Sequence, residues 1–323
     1  MANLLSSGLE KVSHNKRYIL WFWLFNLVIA AFGTFGFYES ASAILDRSLY
    51  ADQLVKGFDL GVFLELLSKP EFGTLNSMTY PSLYFGFVFF LATALFLPGI
   101  FTGYASTYRL PREEFFRACG RNLWRFIRTM IIAGIIMGII AGVLFSANDA
   151  IAKKADESTN EKLSFQLQMA GLAVIFLVMT TLRIWFDLAE VDAVLNDQRA
   201  VRKSIAAAFR HTFSSLARLL TSYVVVTIVA AIVLVAGLWL WMKVVAPENV
   251  FGAFAIGQVT LLLLLIPRFW QRGIAVSYWQ QRMLAPLAPT PVVGSSPIPF
   301  SSAPAPAADT LPEGAPAIDP LQS

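Results

Sequence analysis

The chain has 323 residues, 56% of them hydrophobic and only 14% charged, with 27 Phe and a mean hydropathy of +0.61. That composition lies outside the soluble range and inside that of membrane proteins. The net charge of +4 is spread over segment ends instead of forming one basic patch, so lipid and not nucleic acid is the expected partner. One cysteine (Cys119) and two histidines without an HExxH pair argue against a disulfide framework or a zinc centre, and no cofactor or metal is expected.

Residues 1–17 carry Lys11, Lys16 and Arg17 beside a weak amphipathic pattern of Leu4, Leu5, Leu9 and Val12. The apolar run Tyr18–Phe37 exceeds a signal-peptide core and matches a bilayer span, so a retained first helix is predicted despite the cleavage-like Ala41-Ser42-Ala43. Residues 39–80 form the longest loop, with three bases and six acids, predicted on the outer side of the membrane and carrying short helices at Ser40–Val55 and Asp59–Leu67. A second span, about 81–105, carries Pro98-Gly99 near its inner end, where a kink is predicted.

Pro111–Arg128 reads as an amphipathic elbow lying at the headgroups before the chain enters the bilayer. Its Arg117, Arg121, Arg125 and Arg128 form a basic stripe opposite Phe116, Cys119, Leu123 and Ile127, predicted to anchor to anionic lipid at the cytoplasmic face. The third span, about 130–145, holds Gly134, Gly138 and Gly142, a double GxxxG pattern predicted to draw another helix of the same bundle close. The fourth span follows at about 165–188.

The chain turns on Thr181–Leu220. Arg183, Asp187 and Glu190 share one helix face where an apolar span meets water, and Val201–Arg218 alternates Val201, Ile205, Phe209 and Leu216 with Lys203, Arg210 and Arg218. This is a further elbow, with Arg210 as a lipid anchor. The fifth span, about 219–242, ends in Trp239 and Trp241, and the sixth, about 251–270, carries Pro267, Arg268 and then Arg272. Residues 284–323 hold ten of the sixteen prolines and are predicted to be a disordered cytoplasmic tail.

Eighteen of the 25 Lys and Arg fall in the segments assigned inside, against seven in the outer segments, which carry eleven acids. Both termini are therefore predicted inside. Sliding the chain by 89 residues places Arg121 on Arg210 and Trp124 on Phe213; a slide of 85 places Arg183 on Arg268 and Trp185 on Trp270. The predicted fold is an all-α polytopic membrane protein: six transmembrane helices over residues 1–283, in three elbow-helix-helix repeats at about 1–105, 106–190 and 191–283.

The elbow-then-span pattern at Glu114–Phe145 and Val201–Trp241, with the acidic-to-basic run Glu190–Lys203, resembles six-helix bacterial inner-membrane proteins. These include the membrane domain attached to some glycerophosphodiester phosphodiesterases. The soluble phosphodiesterase domain has no counterpart here, so the resemblance implies architecture and not that activity.

Two uses are read for the charges. Asp187 and Arg272 are candidates for a structural ion pair between helices, and Arg183, Arg268 and Arg272 for a phosphate or lipid-headgroup site. No catalytic residue is singled out. The expected role is a non-enzymatic assembly, scaffolding or complex-forming module of a bacterial cytoplasmic membrane, meeting protein partners through the C-terminal tail or the elbows. The alternatives are a transporter or lipid- and anion-handling protein, and an intramembrane enzyme.

Overall fold

A computed structural model describes residues 2–45, 61, 64, 75–156, 161–197, 200–246 and 249–283. The larger parts of the loop helices expected at 40–55 and 59–67, and the whole tail 284–323, lie outside these. Every element among the described residues is a helix: α1 (Ala2–His14), α2 (Lys16–Leu45), α3 (Leu75–Ala105), α4 (Arg112–Asp156), α5 (Glu161–Leu195), α6 (Val201–Ser214), α7 (Leu216–Val244) and α8 (Val250–Met283). Five of them, α3, α4, α5, α7 and α8, are long and apolar enough to cross a membrane.

Short polar side chains set the helix boundaries. Asn15 ends α1 by donating its side-chain amide to the Lys11 carbonyl (3.1 Å), and the Ser214 hydroxyl donates to the His211 carbonyl (3.0 Å) at the end of α6. Pro111 precedes α4, and Glu113 and Glu114 in its first turn complement the helix dipole. Asn249 caps α8, its side-chain oxygen accepting from the Gly252 N–H at 2.8 Å. Asp197, at φ 49°, turns the chain from α5 toward α6.

The core sits where the elbows meet the long helices. There α3, α5 and α8 pack on one another pairwise, while α1 lies on α8, the start of α4 on α3, and α6 on α5. The joints are aromatic: Tyr18 stacks on Phe115 at 5.2 Å, Phe22 meets Phe269 edge-on at 5.2 Å, and Phe101 meets Phe126 at 6.0 Å. Elbows α1 and α6 bury the same helical stripe, Leu4, Gly8 and Val12 in one and Ser204, Ala208 and Thr212 in the other. Away from this end the helices face outward. The most apolar stretch of α3 is 39% buried, whereas that of α4 is 6% buried, so α4 presents its Ile-rich surface to lipid.

Two expectations are corrected. The second elbow is not a separate helix, because α4 runs unbroken for 45 residues. Where α1 and α6 break at polar Asn15 and Ser215, α4 carries Phe126, which is buried against Phe101 and offers no side-chain bond to compete with the helix. Its buried face is Phe115, Cys119, Asn122, Phe126 and Thr129, while Phe116, assigned to that face from sequence, is exposed.

Gly134, Gly138 and Gly142 do not bring a helix of the bundle close. All three are exposed, and a methyl group on any of them would meet nothing within 4 Å. The reason is rotational. Toward α5, α4 turns the neighbouring stripe that carries Thr129, Ala133 and Asn148, and Asn148 packs directly on Gly171. The prolines leave the helix assignments unbroken: α3 continues past Pro98, whose carbonyl accepts from the Thr102 hydroxyl at 2.9 Å, and α8 continues through Pro267.

Candidate functional site: a charged cluster and a basic cavity

The one-face spacing of Arg183, Asp187 and Glu190 on α5 points all three into the region where α5, α7 and α8 converge. Arg183 Nε lies 3.9 Å from Asp187 Oδ2. The Tyr223 hydroxyl, from α7, donates to Asp187 Oδ2 at 2.9 Å and also lies 3.1 Å from the Gln271 carbonyl of α8. Gln271 in turn donates its side-chain amide to Thr227 Oγ1 at 3.1 Å. Tyr223 is fully buried, and Gln271 and Glu190 nearly so. A buried polar network of this kind is stabilising only when its members satisfy one another, which ties three helices to a single arrangement.

Arg272 joins the cluster without a direct bond to Asp187. Among the described residues the ion-pair partner of Asp187 is Arg183. Arg272 packs its guanidinium over Phe269 at 5.5 Å and acts on Asp187 and Glu190 through space. The anticipated Asp187–Arg272 ion pair is therefore replaced by an Asp187–Tyr223 hydrogen bond inside the field of Arg272. Arg183, Arg268 and Arg272 are brought together, close enough to interact electrostatically, with Arg268 the most exposed. Tyr104 of α3 reaches the same field, and its buried hydroxyl has no hydrogen-bond partner among the described residues.

A second site lies at the elbow end, where α1, the start of α2, the end of α3 and the end of α8 line an open cavity of about 900 Å³. Lys11 Nζ donates to the Tyr104 carbonyl at 2.6 Å and to Gln280 Oε1 at 2.7 Å, and Gln280 Nε2 donates to the Ala105 carbonyl at 2.9 Å. Burial lowers the Lys11 pKa, against the neighbouring Glu10 carboxylate, which raises it. Arg17 donates through Nη2 to the Leu110 carbonyl at 2.6 Å and to the Tyr18 hydroxyl at 3.1 Å, and lies 4.9 Å from the Tyr18 ring centroid.

The arginines assigned to lipid anchoring divide. Arg121 and Arg210 are exposed, Arg117 pairs with Glu113 on the surface at 2.7 Å, and Arg128 lies over the Trp124 ring at 5.1 Å. Arg125 is drawn inward to Asp197 and ties α4 to the turn between α5 and α6. No group of three His, Cys, Asp or Glu side chains that could hold a metal occurs among the described residues.

Sequence reasoning missed Tyr223, Gln271, Lys11 and Gln280. A lone Tyr within the Val/Ile-rich fifth span and a Gln beside Arg272 were the available signals. The Lys11 site joins positions 269 residues apart and left none.

Long apolar helices, amphipathic elbows and a charged cluster where helices converge define an all-helical, multi-pass membrane protein. Compared with protein-family models, curated proteins and solved structures, the chain matches none.

Proposed function

We propose that the protein is a non-enzymatic, membrane-embedded module that assembles or scaffolds a complex in a bacterial cytoplasmic membrane. In this reading α2 is the first of six spans, both termini are cytoplasmic, and residues 1–105, 106–190 and 191–283 are three elbow-helix-helix repeats. The matched buried stripes of α1 and α6, and the placing of each elbow on a second long helix, support the repeats. The charge distribution along the sequence supports the orientation.

The observation that carries the functional reading is the Tyr223–Asp187–Gln271 network, which closes α5, α7 and α8 on one another where a solute path between repeats would run. A cavity of about 900 Å³ is instead lined by residues of the elbow end. A lipid- or anion-handling role is the second reading, favoured by three guanidiniums gathered against two carboxylates. Purification of the full chain from its native membranes in mild detergent tests the choice. The proposal expects a complex of defined mass and stoichiometry; recovery of the chain alone, with turnover of lipid or ion flux in liposomes, overturns it.

A further inference from the structure

We propose that the cavity between α1, the start of α2, the end of α3 and the end of α8 binds a phosphate-bearing anion, supplied by an anionic phospholipid headgroup or by a soluble phosphate compound. Its volume of about 900 Å³ is that of a small-molecule site. Four cations line it, Lys11, Lys16, Arg17 and Arg109, against one carboxylate, Glu10. None of the four is in an ion pair among the described residues. Gathering like charges around one space costs free energy that a bound anion offsets.

Two of the cations, Lys11 and Arg17, are also held in place. Lys11 spends two of its three N–H donors on the Tyr104 carbonyl and Gln280, and one remains. Arg17 is fixed by the Leu110 carbonyl and by the rings of Tyr18 and Trp21. Donors already positioned by backbone carbonyls lose little entropy when a ligand arrives. The hydroxyls of Ser7 and Thr107 line the same space and suit phosphate oxygens. An apolar groove of about 560 Å³ has Tyr18, the chain neighbour and hydrogen-bond partner of Arg17, in its wall with Trp21 and Phe96, and Arg112 among its lining residues; the chain of a phospholipid would lie there. A soluble phosphate compound leaves that groove to bulk lipid.

The test uses the full chain in neutral detergent, titrated with inorganic phosphate, with dihexanoyl phosphatidylglycerol below its micelle concentration, and with the zwitterionic dihexanoyl phosphatidylcholine. Lys16→Gln/Arg109→Gln removes two exposed cations of the cavity, and Lys153→Gln/Lys154→Gln removes two exposed cations at the end of α4, away from the elbows. We expect saturable one-to-one binding of phosphate or of phosphatidylglycerol, weakened about tenfold or more by the first pair and not by the second. Phosphate binding identifies a soluble source; binding of phosphatidylglycerol alone identifies a lipid source. The single variants repeat the test if the double variant does not fold. Absence of saturable binding, equal binding of phosphatidylcholine, or equal loss in both variant pairs overturns the proposal.

Discussion

Trp185 and Trp270 make the same bond in two places: each donates its indole N–H at 2.8 Å to an elbow carbonyl, that of Ile205 in α6 and that of Leu5 in α1. The tryptophans stand one predicted repeat apart, and the carbonyls they reach belong to the third and first elbows. A second long helix therefore holds the elbow packed against it by one defined hydrogen bond.

Replacing Trp185 or Trp270 by Phe keeps the ring and removes the donor, so each variant should lose about 1 kcal/mol of stability. The joints share no residue, so the losses should add. Limited proteolysis should show new cleavage near Arg210 in the first variant and near Lys11 in the second. Loosening of both elbows by either substitution would show that the joints are not independent.

The glycines give a contrast within one protein. A Cβ at Gly273 would lie 2.6 Å from the Gly8 carbonyl oxygen, and backbone cannot yield as a side chain can, so Gly273→Ala should destabilise by about 1–3 kcal/mol. Gly138→Ala meets open space and gains helix propensity, so it should be neutral or stabilising by up to about 1 kcal/mol. Thermal unfolding of the two variants in the same detergent checks both signs.

The amphipathic patterns of α1 and α6 and the long apolar helices are legible in the sequence because amphipathic period and span length are local properties of the chain. What was not legible depends on which way a helix is rotated in the bundle. Gly134, Gly138 and Gly142 form the right pattern on α4, but the stripe next to them, with Thr129, Ala133 and Asn148, is the one turned to α5. Asp187 lies in a charged cluster, as its shared helix face with Arg183 and Glu190 indicates, yet its hydrogen-bond partner is Tyr223 of α7, because similar positions on two helices fix neighbourhood and not contact distance. The Arg125–Asp197 tie joins residues 72 apart and depends on a turn whose left-handed Asp no periodicity reveals.

Orientation can be read with engineered thiols. Native Cys119 is buried, so it should stay unlabelled from either side, and Cys119→Ser gives a silent background. In that background Asp149→Cys, exposed near the end of α4 away from the elbows, should react with an impermeant thiol reagent in intact cells. Lys203→Cys, exposed on α6, should react only after permeabilisation. The reverse pattern contradicts cytoplasmic elbows.

Severing the Arg125–Asp197 tie by Arg125→Gln should have a small effect, about 0.5–1 kcal/mol, because Asp197 is half-exposed and water replaces part of the interaction. High salt should narrow the difference from the parent chain. An unfolding comparison at low and high ionic strength checks this, and a loss that is large and independent of salt would mean the guanidinium acts by packing instead of charge.

The most direct test of the account is a double-mutant cycle between Tyr223 and Asp187, read by thermal and denaturant unfolding of the full chain. If their hydrogen bond closes the convergence of α5, α7 and α8, Tyr223→Phe and Asp187→Asn should each cost about 1–3 kcal/mol, and the double variant should be less destabilised than their sum by about 1 kcal/mol. Near-zero coupling with unchanged stability, together with loss of co-purifying anionic lipid in Arg183→Gln or Arg272→Gln, would contradict it and make the cluster a headgroup site instead of a structural closure.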